Sequence, residues 1–182
     1  MESPGSPAQG ANGGTGNSGG VQVADSQGTV LNDASNPSGP LTNDEKLLAR
    51  ITYSEGADQP FDAKVGVASV VQNRVESGAF PNSYEGVINQ RNQFQPVGSG
   101  GLWSQFDAAN NYVGSNVAAY RDSLYAARQV YLGTIRDVSG GALYFHSYPQ
   151  LNPGFGWYSS AIAAGRIQPT LPSRIGAFWF FR

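Results

Sequence analysis

All 21 aromatic residues of this 182-residue chain lie beyond position 40. The first 40 residues hold nine of the 24 glycines and four of the 11 prolines, and no lysine or arginine. Gly13, Gly14, Gly16, Gly19 and Gly20 fall among Ser, Asn and Thr. Such a segment cannot bury enough apolar surface to offset the entropy of ordering it. Residues 1–40 therefore read as a flexible Gly/Ser/Pro-rich tail, either an inert linker or a tether threaded into an assembly. The core must come from residues 41–182, a length that suits one compact domain.

Several kinds of chemistry fall away. There is no cysteine, so disulfide scaffolds, thiol nucleophiles and thiolate metal sites are excluded. The one histidine, His146, cannot build a zinc site of two or three imidazoles. No metal or organic cofactor is expected. Residues 41–182 carry 11 basic and 10 acidic side chains, a balance that gives no general grip on nucleic acid. No apolar run approaches the roughly 20 residues of a membrane span. The amino terminus lacks the basic and apolar regions of a conventional secretory signal.

The domain opens with a capping box, Thr42 followed three residues later by Glu45. Leu47, Leu48 and Ile51 follow at helical spacing, and Gly56 suits the stop. Pro60 can open a second helix, with Phe61, Val65, Ala68, Val71 and Val75 on one face and Gly78 closing it. Residues 83–90 allow a short helix. Gly98, Gly100 and Gly101 make a loop. Ser115 can cap a helix through Leu132, with Tyr120, Leu124, Ala127 and Tyr131 on one stripe and Gly133 past its end. Residues 142–145 and 175–181 are short and aromatic and read as strands. The Pro/Gly-rich stretch 147–174 between them allows a helical turn at 159–165. The expected fold is α+β, mostly helical with a small late sheet.

With thiols excluded and metal catalysis weakly supported by the composition, carboxylates are the obvious acid–base groups. There is no Gly-x-Ser-x-Gly elbow in the domain to accompany His146, and no phosphate-binding glycine loop. Glu55 stands at the expected end of the first helix, where the partial negative charge of the helix terminus favours the protonated acid. Burial beside Tyr53 would push the same way. A carboxylic acid kept protonated near neutrality is what a glycosidic leaving oxygen needs. The competing reading is a solvated glutamate on a fraying helix end.

Ordered blocks then resemble the cell-wall hydrolase family typified by spore-cortex-lytic enzymes. Ala49-Arg50-Ile51 leads into Tyr53-Ser54-Glu55-Gly56, like that family's helix ending in its catalytic glutamate. Val67-Ala68-Ser69-Val70-Val71-Gln72-Asn73-Arg74-Val75 is similar to its second helix. Phe80-Pro81-Asn82, Gly86-Val87-Ile88 and Gln93-Phe94-Gln95-Pro96-Val97 follow in order. Asp137 to Phe145 resembles its late Gly-Ala-aromatic block, and Ile175-Gly176 before Phe180-Phe181 its closing strand. Phe178 stands where the family often has a histidine, so that histidine's role does not carry over.

The resemblance implies a lysozyme-like fold and cleavage of peptidoglycan between N-acetylmuramic acid and N-acetylglucosamine. Glu55 would protonate the leaving oxygen. In members that act as lytic transglycosylases it would then take a proton from the muramic acid's own 6-hydroxyl. Gln93 and Phe94 match a block expected to line the cleft, where Gln93 would meet an acetamido group or brace a loop. Tyr144 matches the late aromatic and would hold sugar faces. It alternates with Phe145, so one faces the core and the other the cleft. Asn73 would bond substrate or satisfy nearby backbone, Arg74 reads as structural, and His146 is a substrate-binding candidate. Trp103 and Trp157 read as core or partner contacts.

Two alternatives stand beside transglycosylation. A lysozyme-type muramidase would need a second carboxylate, with Asp58, Asp62, Glu85 and Asp107 available. A non-catalytic glycan-binding or structural virion protein would cleave nothing. Absent a secretory signal, a phage origin fits, with the protein carried in the virion or released to the host wall. Residues 1–40 and 147–174 would then meet virion subunits, the latter as a lid or partner face.

Overall fold

The computed structural model describes residues 40–91, 93–94, 100–147 and 156–182. The expected tail, almost all of it, and part of the proposed lid lie outside the described residues, and so does Gly98 of the expected loop.

Helix α1 spans Asn43–Gly56. The capping box forms as the sequence predicts. The Thr42 backbone N–H donates to Glu45 Oε2 at 2.7 Å, and the Glu45 N–H donates to Thr42 Oγ1 at 3.2 Å. Glu45 is also paired with Arg128 at 3.3 Å, which ties the start of α1 to a segment more than 80 residues later in the chain. Helix α2 spans Phe61–Glu76 behind Pro60, whose missing N–H costs nothing at a helix start. Gly78 follows at φ 69°, the left-handed geometry that lets the chain turn away. Helix α3 is the short Tyr84–Ile88, capped by Ser83. A 3-10 turn, Gly101–Gln105, follows Gly100.

Helix α4 spans Val117–Tyr131. Its cap is Asn116, whose side chain accepts from the Ala119 N–H at 3.3 Å, and not the expected Ser115. Either residue type can cap; the chain enters the helix one residue later than the pattern suggested. Gly133 lies past the end at φ 65°, as expected.

The sheet differs more from expectation. Strand β1 is Tyr144–His146, shifted from 142–145. The Ala142 N–H is taken instead by the Ser139 hydroxyl at 3.3 Å. The stretch 147–174 contains helix α5, Gly156–Ala163, and most of strand β2, Pro169–Ile175. The single closing strand expected over 175–181 is therefore the second arm of a hairpin. Gly176, at φ 58°, turns the chain between β2 and β3, Phe178–Phe181. Strand order is β1-β3-β2, antiparallel throughout. Pro169 and Pro172 lie on β2, an edge strand, where a missing N–H is tolerated.

Helix α2 is the centre of the molecule. One face, with Val65, Ala68 and Val71, packs with Leu48, Ile51 and Tyr53 of α1 and Leu124 and Ala127 of α4. The other, with Ala63, Val67 and Val70, packs on Ala142, Phe178 and Phe180. A helix apolar on both sides must be buried on both. Gly66 allows the close approach to the sheet: a Cβ there would stand 2.5 Å from Phe180 Cζ.

Candidate active site

Glu55 is the penultimate residue of α1, and the last turn of that helix carries no basic side chain. Its side chain is partly buried. Burial pushes its carboxyl up from an ordinary 4.5 to about 7. The terminal carbonyls of the helix add a field of the same sign. Among the described residues no hydrogen-bond donor or cation is paired with this carboxylate. The group is thus an acid that is half protonated near neutrality.

What surrounds this helix end follows from the hairpin. Gly56, next to Glu55, is buried; a Cβ on it would lie 3.6 Å from the Phe178 ring and 3.7 Å from Lys64 Cγ. Gln59, in the α1–α2 loop, accepts a hydrogen bond from the Ala177 N–H at 2.9 Å. That bond docks the β2–β3 turn on the end of α1. Phe178 is fully buried and meets Phe145 edge-on at 5.2 Å. The chain has an apolar wall at that position.

The strand register decides the alternation at β1. Phe145 faces inward, against Phe94 at 6.2 Å, Phe178 at 5.2 Å and Phe180 at 6.2 Å. Tyr144 lies half-buried on the opposite face, beside Phe80 at 6.0 Å and over the Arg74 guanidinium at 5.5 Å. Phe94 is buried, also against Arg74, at 5.1 Å. Gln93 is exposed, with its backbone N–H turned back to the Gln90 carbonyl at 3.2 Å. His146 is buried and stacked on Phe181 at 5.4 Å, and that burial lowers its pKa. Asn73 donates to Asp137 Oδ2 at 3.0 Å and to the Ala142 carbonyl at 3.1 Å. Arg74 is structural, as expected: 3% exposed, its Nε–H donates to the Leu143 carbonyl at 2.6 Å.

The expected residues thus form two groups. Glu55 stands where α1 gives way to α2, beside Gly56, which packs against Lys64 near the start of α2. Asn73, Phe94 and Tyr144 gather around Arg74 in the last turn of α2, about 15 Å further along that helix by its rise per residue. Phe145 and Phe178 bridge them from below. His146 is apart, on the face of Phe181. Of the expected second carboxylates, Asp58, Asp62, Glu85 and Asp107 are all exposed. Asp107 is occupied within its own turn, accepting from the Ala109 and Asn111 N–H groups and the Asn111 side chain. Asp58 accepts from Gln59 at 3.0 Å. Phe80 and Asp137 belong to the second group and were not among the site candidates. Asp137 had a signal, since Asp-x-Ser-Gly-Gly is a sequence in which a carboxylate folds the chain back on itself. A concavity of about 340 Å³ between α2 and the end of α4, lined in part by Ser69, Gln72, Asn73 and Asp137, does not include Glu55.

Comparison with known proteins gives the same family twice over. The cell wall hydrolase family matches residues 58–170, beginning just after Glu55. The chain is 31% identical over 147 residues to a spore cortex-lytic enzyme of Oceanobacillus iheyensis, covering 80% of this chain and 45% of that protein. It is 35% identical over 96 residues to that of Bacillus subtilis, covering 48% of this chain and 32% of that protein. The chain thus spans less than half the length of these curated relatives. Among solved structures, it is similar to the catalytic domain of the germination-specific lytic transglycosylase SleB from Bacillus anthracis. That match has 26% identity and a TM-score of 0.56, over 80% of this chain and 99% of the other. The catalytic domain of Bacillus cereus SleB matches at 25% identity and a TM-score of 0.54, over 82% of this chain and 98% of the other.

Proposed function

Because the chain belongs to the cell wall hydrolase family, we propose that it cleaves peptidoglycan glycan strands as a lytic transglycosylase, with Glu55 as sole acid and base. The observation that carries this reading is the carboxyl at the end of α1, raised to about 7 by burial. Protonated Glu55 donates its proton to the glycosidic oxygen between N-acetylmuramic acid and N-acetylglucosamine. The C1–O bond breaks, and positive charge develops on C1 and the ring oxygen. The muramic acid 6-hydroxyl attacks C1, and its proton passes to the Glu55 carboxylate. A 1,6-anhydro ring closes, and Glu55 is protonated again for the next turnover.

A single carboxylate suffices because the nucleophile belongs to the substrate. Two further observations support that economy. The catalytic domain from B. anthracis that this chain resembles is described as a lytic transglycosylase. Asp107 and Asp58 are already engaged by their own neighbours. Tyr144 and Gln93 would hold sugars away from the scissile bond, and Phe94, buried in the core, would support the Arg74 group from beneath. The test is release of soluble muropeptides from purified walls by the native protein and by Glu55→Gln. Release by the native protein alone supports the reading, and equal release by both removes Glu55 from the chemistry.

A further inference from the structure

Asn73, a candidate for substrate contact, has no donor left to offer. Both hydrogens of its amide are used, one on Asp137 Oδ2 and one on the Ala142 carbonyl. Asp137 is equally committed. Its Oδ1 accepts from the Ser139 N–H at 2.7 Å and the Ser139 hydroxyl at 2.6 Å; its Oδ2 accepts from Asn73 and from the Gly141 N–H at 2.9 Å. Burial alone would raise this carboxyl, but these bonds outweigh it and hold it below its ordinary range. A carboxylate this saturated is no proton shuttle. It folds residues 137–141 around itself, with Gly140 and Gly141 at φ 68° and 77°. A Cβ on Gly140 would lie 2.9 Å from the Leu171 carbonyl oxygen, so the loop is also pressed against β2.

These bonds act on the two residues just before Tyr144. Asn73 holds the Ala142 carbonyl and Arg74 the Leu143 carbonyl, from consecutive positions on α2. The Leu143 N–H is fixed from the other side by the Phe181 carbonyl at 2.8 Å. The chain reaching Tyr144 is therefore clamped at successive peptide units, and the Tyr144 ring is set between Phe80 and Arg74.

We infer that Asn73 and Asp137 are a positioning pair for Tyr144: they touch no substrate, and they set the place of the aromatic ring that binds the glycan strand. This rests on the reading of the chain as a glycan-cleaving enzyme with Tyr144 in its binding face. In this proposal the ring, which sits with the Arg74 group and not with Glu55, binds the strand equally in ground and transition states. Losing its placement raises KM and leaves kcat.

The test is a double-mutant cycle on soluble, strand-length wall glycan. Asn73→Ala and Asp137→Asn are each expected to raise KM about five- to tenfold with kcat within about twofold. In a Tyr144→Ala background the same substitutions are expected to change KM less than about twofold. Ser139→Ala removes the hydroxyl's bond to Asp137 and the one it accepts from the Ala142 N–H, and leaves the bonds of Asn73 and the Ser139 and Gly141 N–H groups in place. It keeps the test open should the stronger variants fail to fold, and its smaller KM effect must vanish in the same background. KM effects that add fully to that of Tyr144→Ala, or a fall in kcat at constant KM, overturn the proposal. If the native protein cleaves no wall, the proposed function fails and the pair is judged on binding. Affinity of the Glu55→Gln protein for N-acetylglucosamine oligomers, by calorimetry, must then fall with Asn73→Ala in a Tyr144-dependent way. Unchanged affinity, or none at all, overturns the pairing.

Discussion

Replacing Glu55 by glutamine tests the electrostatics of the site without any substrate. A carboxyl whose pKa rises from 4.5 to about 7 on folding binds its proton more tightly in the native state. The associated stability is fully present below pH 4.5 and is lost as pH rises through 7. That interval corresponds to about 3 kcal/mol at full burial. The side chain is partly exposed, so solvent screening brings the expected effect to about 1–2 kcal/mol. Glutamine carries no charge at any pH and escapes the cost. Glu55→Gln is therefore expected to match the native protein in stability near pH 4 and to exceed it by about 1–2 kcal/mol at pH 8, a Tm difference of roughly 2–8 °C. Thermal melts of both proteins from pH 4 to pH 9 measure this directly. Parallel curves, with no divergence between pH 5 and 8, would refute the raised pKa and with it the acid role. The same substitution removes the proton donor and is expected to lower turnover by about 10²–10⁴.

Other substitutions probe the frame that holds the site. Gly66→Ala would drive a methyl into the Phe180 ring, where 2.5 Å is available; a loss of about 1–3 kcal/mol in denaturant unfolding is expected. Phe145→Ala empties the bridge between Phe94 and Phe178 and is expected to cost about 3–5 kcal/mol. Tyr144→Ala, on the other face of the strand, should cost less stability and raise KM; equal stability losses would contradict the register. Thr42→Ala breaks the capping box and is expected to cost about 0.5–2 kcal/mol in the same unfolding assay.

The helices were legible because their signals are local. Thr42 and Glu45 lie three residues apart, and the stripes of α2 and α4 repeat at the helical period. The sheet was legible only in part. Ile175 to Phe181 is continuously apolar or aromatic apart from Gly176, and a single glycine inside such a run reads as a weak point in a strand. In the structure it is the hairpin turn. Strand β2 carries two prolines, which argue against a strand until its edge position is known. The place of Glu55 at the end of α1 was legible from the helical spacing and from Gly56. The Asn73–Asp137 pair was not, because its partners are 64 residues apart in sequence and meet only through the fold. Nothing in the spacing along α2 separates a substrate-binding amide from one that braces a loop.

The most direct test of the central claim is digestion of purified peptidoglycan in ¹⁸O-labelled water, with the products resolved by liquid chromatography and mass spectrometry. Intramolecular attack by the 6-hydroxyl predicts anhydro-ended muropeptides that carry no label, released by the native protein and not by Glu55→Gln. Reducing ends carrying ¹⁸O would mean that water is the nucleophile, and would contradict a mechanism in which Glu55 acts alone.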